Sequence, residues 1–182
     1  MNDQIMVQVS GWPGSTSGAA PSDVLIALVV RRLTVGQDVA AVKYASRQPI
    51  DDPVREKKVL QAVAHALNRT GLYEKIGRQF FRDQIEANKV IQRGLHQRWY
   101  AHPEEVPPPD RDLATRVRPE LDRLTRQMMR QFEGIDELPY LSLGYIEDLA
   151  AQRFFAELSR PQLPQLHRSA AVFALRSFAL RR

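Results

Sequence analysis

The chain of 182 residues contains no cysteine, which removes disulfides, thiolate nucleophiles and thiolate metal sites together. Compartment stays open, because an exported protein can do without disulfides. No apolar run approaches the ~20 residues that a membrane-spanning helix needs. There is no Gly-rich phosphate loop and no serine in a nucleophile elbow. No stretch alternates polar and apolar residues with a period of two for long enough to build a sheet. Lysine is scarce, five among 26 basic residues. The first thirty residues hold neither Lys nor Arg. Met1 to Ser22 also has no continuous apolar core, so it does not read as a signal peptide.

What remains is helical. The length suits one domain with a real core. The net charge of +5 raises the question of nucleic acid, but the arginines are scattered along every segment rather than gathered in a run. That pattern reads as solvated surface and ion pairs. Residues 1–22, rich in Gly, Ser and Pro, read as a flexible tail ahead of a helical domain over 23–182. A first helix is expected over about 23–47, ending before Pro49. A second starts at Asp52 as N-cap with Pro53 in the first turn and runs to about Asn68, with Gly71 as its C′ residue. A third covers about 73–99 with Phe81, Ile85, Ile91, Leu95 and Trp99 on one side. HPEEVPPPDRD (102–112) is an irregular connection. A fourth helix begins near Pro119 with Leu121, Leu124, Met128 and Phe132 as its stripe, and two more are expected over about 140–159 and 165–180. The fold class is all-α, a single-domain bundle of about six helices.

The organising stretch is Asp23 to Arg47. At about 100° per residue, Leu25, Val29, Leu33, Gly36, Val39 and Ala40 form one stripe, and Arg32 and Lys43 fall inside it. Eleven residues separate these two cations, close to three full turns. Burying an unpaired cation costs several kcal/mol, so both need anionic partners unless their side chains reach out past the edge of the core. The third helix repeats the oddity: Gln84, Asn88 and Gln92 are spaced i, i+4, i+8 along the edge of an apolar stripe. Either they bond one another or a neighbouring helix, or they join the two cations around a polar pocket in the bundle. At the start of the second helix, Asp52 and Glu56 are explained by helix-end physics. Arg55 is not, because a cation there opposes the macrodipole. Three cations, neutral amides and two carboxylates suit a small dianion carrying a hydroxyl. His65, His96, His102 and His167 show no metal-ligand spacing with carboxylates, so no metal or cofactor is expected.

These residues resemble the all-helical chorismate mutases of the AroQ type. The likeness lies in Arg32, Lys43 eleven residues later, PIDDPVRE with Asp52, Arg55 and Glu56, and DQIEANKVIQ with Asn88 and Gln92; it extends over about residues 24–132. In short intracellular members one site arginine comes from the first helix of the partner subunit, and no Lys or Arg precedes Arg31 here. The gamma-type, usually exported members supply it from the same chain after a Pro-rich connection, in a segment similar to DLATRVRPELDRL. Arg118 is the match there, anchored by Pro119, Leu121 and Asp122, with Arg116 as the alternative.

The resemblance implies the rearrangement of chorismate to prephenate without cofactor, in a homodimer, with no nucleic-acid or membrane partner. It implies that Arg32, Arg55 and Arg118 fix two carboxylates and that Lys43 and Gln92 donate to the ether oxygen. Glu56, with Asp52, would hold the ring hydroxyl, and Asn88 would support a carboxylate. A periplasmic or secreted location follows from the subclass, and a cytoplasmic one stays open in the absence of a visible leader. Two rivals remain at this point: a non-catalytic binder of a small dianion, and a helical nucleic-acid or protein-interaction module.

Overall fold

The computed structural model describes residues 21–67, 72–108, 112–133 and 169–175. Helix α1 (Pro21–Ser46) starts at a proline suited to the first turn and is followed by α2 (Pro53–Leu67), α3 (Leu72–Ala101) and α4 (Arg118–Glu133). Residues 169–175 are helical as well. No strand occurs among the described residues, as the all-α reading requires. The expected tail (1–22), apart from its last two residues at the start of α1, lies outside the described residues. So do Gly71, the helix over 140–159 and the ends of the helix over 165–180.

α1 is the central element, and it packs against both α3 and α4. The expected single stripe understates its burial. Leu25, Ile26, Val29, Val30, Leu33, Ala40 and Ala41 sit in one apolar cluster with Phe80, Phe81, Ile91, Leu95, Trp99 and Met128. On another side, Val35 and Val39 meet Leu113, Val117 and Leu124. A helix buried on most of its circumference has little room for a solvent-facing charged stripe, and Arg32 and Lys43 are buried with its apolar residues.

Two connections differ from a plain loop. α1 ends in a Schellman turn: Gln48 N donates to Lys43 O at 3.0 Å and Arg47 N to Tyr44 O at 3.3 Å. Arg47, at φ 54°, takes the left-handed position usually given to glycine. The stretch after α3, expected to be irregular, contains a 3₁₀ turn at Pro103–Glu105. A proline at its start presets the backbone, and Arg98 Nη2 bonds Glu105 Oε1 at 2.7 Å. Asp112 then caps a π-helical turn, Leu113–Val117, that runs straight into α4. Its Oδ1 accepts from Ala114 N at 2.9 Å and Thr115 N at 2.7 Å. The entry to α4 is therefore set by Asp112, six residues before the first residue of that helix.

Replacing Arg47 by glycine removes the Cβ strain of the left-handed position, offset in part by a freer unfolded chain. The expected outcome for Arg47→Gly is a gain of about 0.5 kcal/mol in urea unfolding.

Candidate active site

Arg32, Lys43, Asp52, Arg55, Glu56, Asn88, Gln92 and Arg118, the eight candidate residues, all line one cleft. It measures about 650 Å³ counted with its open mouth. Val39, Val59, Ile85, Leu113 and Leu121 form its apolar wall. Arg116 is exposed and takes no part in the lining.

α1 contributes Arg32 and Lys43. Arg32 is 5% exposed, and its Nε and Nη1 are buried without a hydrogen-bond partner. Burial pushes its pKa down to about 10, against the pull of Asp122 and helped by repulsion from Arg55; at neutral pH it is still charged. Lys43 Nζ donates to Ile50 O at 2.7 Å, a carbonyl turned towards it by the bend after α1. Burial lowers the Lys43 pKa, Asp52 opposes that shift, and Arg118 reinforces it. Neither cation snorkels into solvent.

α2 begins with the expected N-cap. Asp52 Oδ1 accepts from Arg55 N at 3.0 Å, while Oδ2 takes Arg118 Nη2 at 3.1 Å. One carboxylate thus caps a helix and tethers a cation from α4. Arg55 has the reason for its place that helix physics did not supply, since its guanidinium pairs with Asp122 of α4. Glu56 is held at both ends: Oε1 by Asp52 N at 3.3 Å and Oε2 by Lys89 Nζ at 3.3 Å.

α3 contributes an amide pair. Asn88 Nδ2 donates to Arg32 O at 3.3 Å, and Gln92 Nε2 donates to Asn88 Oδ1 at 2.7 Å. Gln84 takes the other course left open for these amides: its Nε2 donates to Ala174 O of a neighbouring helical segment at 2.8 Å, and it does not line the cleft. The reason is helical drift. Each four-residue step overshoots a full turn by about 40°, so Gln84 stands about 80° away from Gln92.

The family model described as chorismate mutase type II matches residues 22–93. The crystal structure of chorismate mutase from Burkholderia thailandensis superposes with a TM-score of 0.73 at 30% identity, over 88% of this chain and 99% of that one. The chain belongs to the chorismate mutase family. A secreted chorismate mutase of Mycolicibacterium smegmatis is 32% identical over 120 residues, 65% of this chain and 66% of that protein. A chorismate mutase of Methanocaldococcus jannaschii is 32% identical over 69 residues, 38% of this chain and 70% of that protein.

Two charged residues of the mutase cleft escaped the sequence reading as lining groups. Asp122 figured only as an anchor of the Arg118 segment. Lys89, 8% exposed, was missed altogether, although its place three residues before Gln92 puts it on a neighbouring line of the helix. Its ammonium meets Glu86 Oε1 at 2.7 Å and Asp51 Oδ1 and Glu56 Oε2 at 3.3 Å each. Burial lowers its pKa, but hydrogen bonds to Glu86, Glu56 and Asp51 outweigh that, and the net shift is upward. Among the described residues, His102, Glu104 and Glu105 lie close enough together for a metal ion, but the first two are exposed and Glu105 already pairs with Arg98.

Two stability outcomes follow from these charges. Arg32→Met removes a buried guanidinium with two partnerless nitrogens, so unfolding free energy should rise by an amount on the order of 1–3 kcal/mol, read by urea titration without added ligand. Lys89→Met should lower it by about 3 kcal/mol at pH 7, with Lys89→Arg keeping more of it. The raised folded pKa means this contribution is complete below the unfolded value of 10.5 and is lost as pH rises through the folded one. The deficit of Lys89→Met should therefore shrink in strong alkali.

Proposed function

We propose that this protein converts chorismate to prephenate by an intramolecular Claisen-type rearrangement. The reaction has one substrate and needs no covalent intermediate. The protein must hold the reactive conformer and stabilise the charge that separates as the ether C–O bond breaks. A millionfold acceleration asks for about 8 kcal/mol, within reach of positioning plus preorganised cations.

The observation that carries this reading is the buried, partnerless guanidinium edge of Arg32 in a cleft lined by five cations (Arg32, Lys43, Arg55, Lys89, Arg118) and three carboxylates (Asp52, Glu56, Asp122). Arg55, Lys89 and Arg118 each have a carboxylate partner, which leaves Arg32 and Lys43 as two cations to match a dianion. Arg32, Arg55 and Arg118 fix the two carboxylates, for which planar guanidinium geometry is suited. Substrate carboxylates then compete with Asp122 and Asp52 for the latter two arginines. Lys43 and Gln92 donate to the ether oxygen as it gains negative charge. Glu56, with Asp52, accepts from the ring hydroxyl, and the second N–H of the Asn88 amide supports a carboxylate. The AroQ-type resemblance supports a homodimer, which sedimentation tests. The secreted relative supports export, and no helix among the described residues is long and apolar enough to cross a membrane.

The direct experiment follows chorismate absorbance in the presence of purified protein. Decay that stops in Arg32→Met is the expected result, and binding without turnover would leave a non-catalytic binder instead. A pH profile tests the role of Gln92. A glutamine amide donates at any ordinary pH, whereas a glutamate at that place donates only when protonated. Gln92→Glu should cost several kcal/mol of barrier at neutral pH and regain activity as pH falls. A kcat/KM profile that scales down without moving to acid would remove Gln92 from the ether oxygen.

A further inference from the structure

Gly36 is buried in the middle of α1, between Arg32 and Lys43. Glycine is among the worst residues for a helix interior, so the position calls for a reason. A β-carbon at Gly36 would stand 2.7 Å from Asn88 Nδ2, 3.1 Å from its Cγ and 3.2 Å from its Oδ1. The missing side chain is what lets the Asn88 amide lie against α1.

That amide can lie there in one orientation only. Its partner on α1, the carbonyl of Arg32 at 3.3 Å, accepts and cannot donate. The nitrogen must therefore face Arg32, which turns Oδ1 towards Gln92. Oδ1 in turn accepts, so the end of Gln92 that meets it, at 2.7 Å, must be Nε2. A backbone carbonyl thus dictates the polarity of two side-chain amides in series, and the Nε2 of Gln92 keeps a second N–H for another acceptor. Without this relay the Gln92 amide could present its carbonyl oxygen to the same place, which would repel a developing negative charge.

We infer that Gly36 and Asn88 are positioning residues that set the amide polarity of Gln92. The inference rests on the reading that Gln92 donates to the ether oxygen of the substrate. It assigns Gly36 a role mainly in rate and a smaller one in substrate affinity: the Asn88 amide gives one N–H to a carboxylate, but the guanidinium groups that hold the carboxylates do not touch this relay.

The test is Gly36→Ala. The added methyl displaces the end of a flexible side chain and improves helix propensity, so the melting temperature should stay level or rise. In chorismate turnover, kcat should fall about tenfold or more, with a smaller rise in KM from the displaced Asn88 N–H. In Gly36→Ala/Asn88→Ser the shorter side chain makes room, and its hydroxyl can both donate to Arg32 O and accept from Gln92. The double variant should be clearly faster than Gly36→Ala. An unchanged kcat in Gly36→Ala, or a double variant no faster than the single one, overturns the inference. A second readout does not depend on turnover. The Gln92 side-chain amide resonances, assigned by their loss in Gln92→Glu, should move in Gly36→Ala and in the isosteric Asn88→Asp, which cannot donate to Arg32 O. Resonances that stay in place in both variants overturn the relay even if the enzyme is active. If they move while the wild type turns over no chorismate, the relay stands and the proposed function alone is wrong.

Discussion

The constraint on which this structure depends is a positive charge inside its most buried helix. Arg32 lies among the residues that α1 sends into the core, and its guanidinium keeps two nitrogens without partners. A fold gains nothing in stability from such an arrangement. The surroundings do not relieve it directly: Asp122, the carboxylate whose charge most favours it, is spent on Arg55. The interior is thus built with a standing demand for anion, and the surrounding elements are arranged so that a ligand can meet it.

The other charges of the cleft are organised differently. Arg55, Lys89 and Arg118 each have a carboxylate partner supplied by another element or connection. These pairs tie α2 to α4 and α3 to the start of α2, so they act as fasteners between helices as well as site groups. Asp52 shows the economy most clearly, with one oxygen capping α2 and the other holding the first residue of α4. The cleft has two kinds of cation. One kind is anchored and holds the walls in register, and the other is left for the ligand.

Much of this was legible in the residues, for identifiable reasons. Helical periodicity survives in the sequence wherever one face is apolar, so α1, α3 and α4 and the Asp52–Pro53 start of α2 could be read directly. Arg32 and Lys43 stood out because a cation in an apolar stripe violates the pattern. Lys89 did not stand out, because in a helix with many polar residues a lysine looks solvated until its three carboxylates are brought together from three places in the chain. For Gln84 the residues left two outcomes open, because spacing by fours resembles a single face over one turn but drifts over two; it bonds a neighbouring helix and does not join the cleft. The π turn at Leu113–Val117 was invisible for a related reason: a five-residue helical turn in a proline-rich stretch carries no periodicity of its own. The cap at Asp112 became recognisable only with the backbone it holds.

α1 is also a ruler. Eleven residues of helix set Arg32 and Lys43 about 16 Å apart along the axis and almost in line around it, with Gly36 and the Asn88 contact between them. Distances stored in a regular helix cannot be adjusted by small steps. One residue inserted between the two cations would swing one of them through about 100° relative to the other and lift it off the cleft. The same insertion in the stretch between α3 and Asp112 would lengthen a connection and leave every helix in phase. Length variation among functional descendants of this chain should therefore collect in that connection and be absent from the span between Arg32 and Lys43.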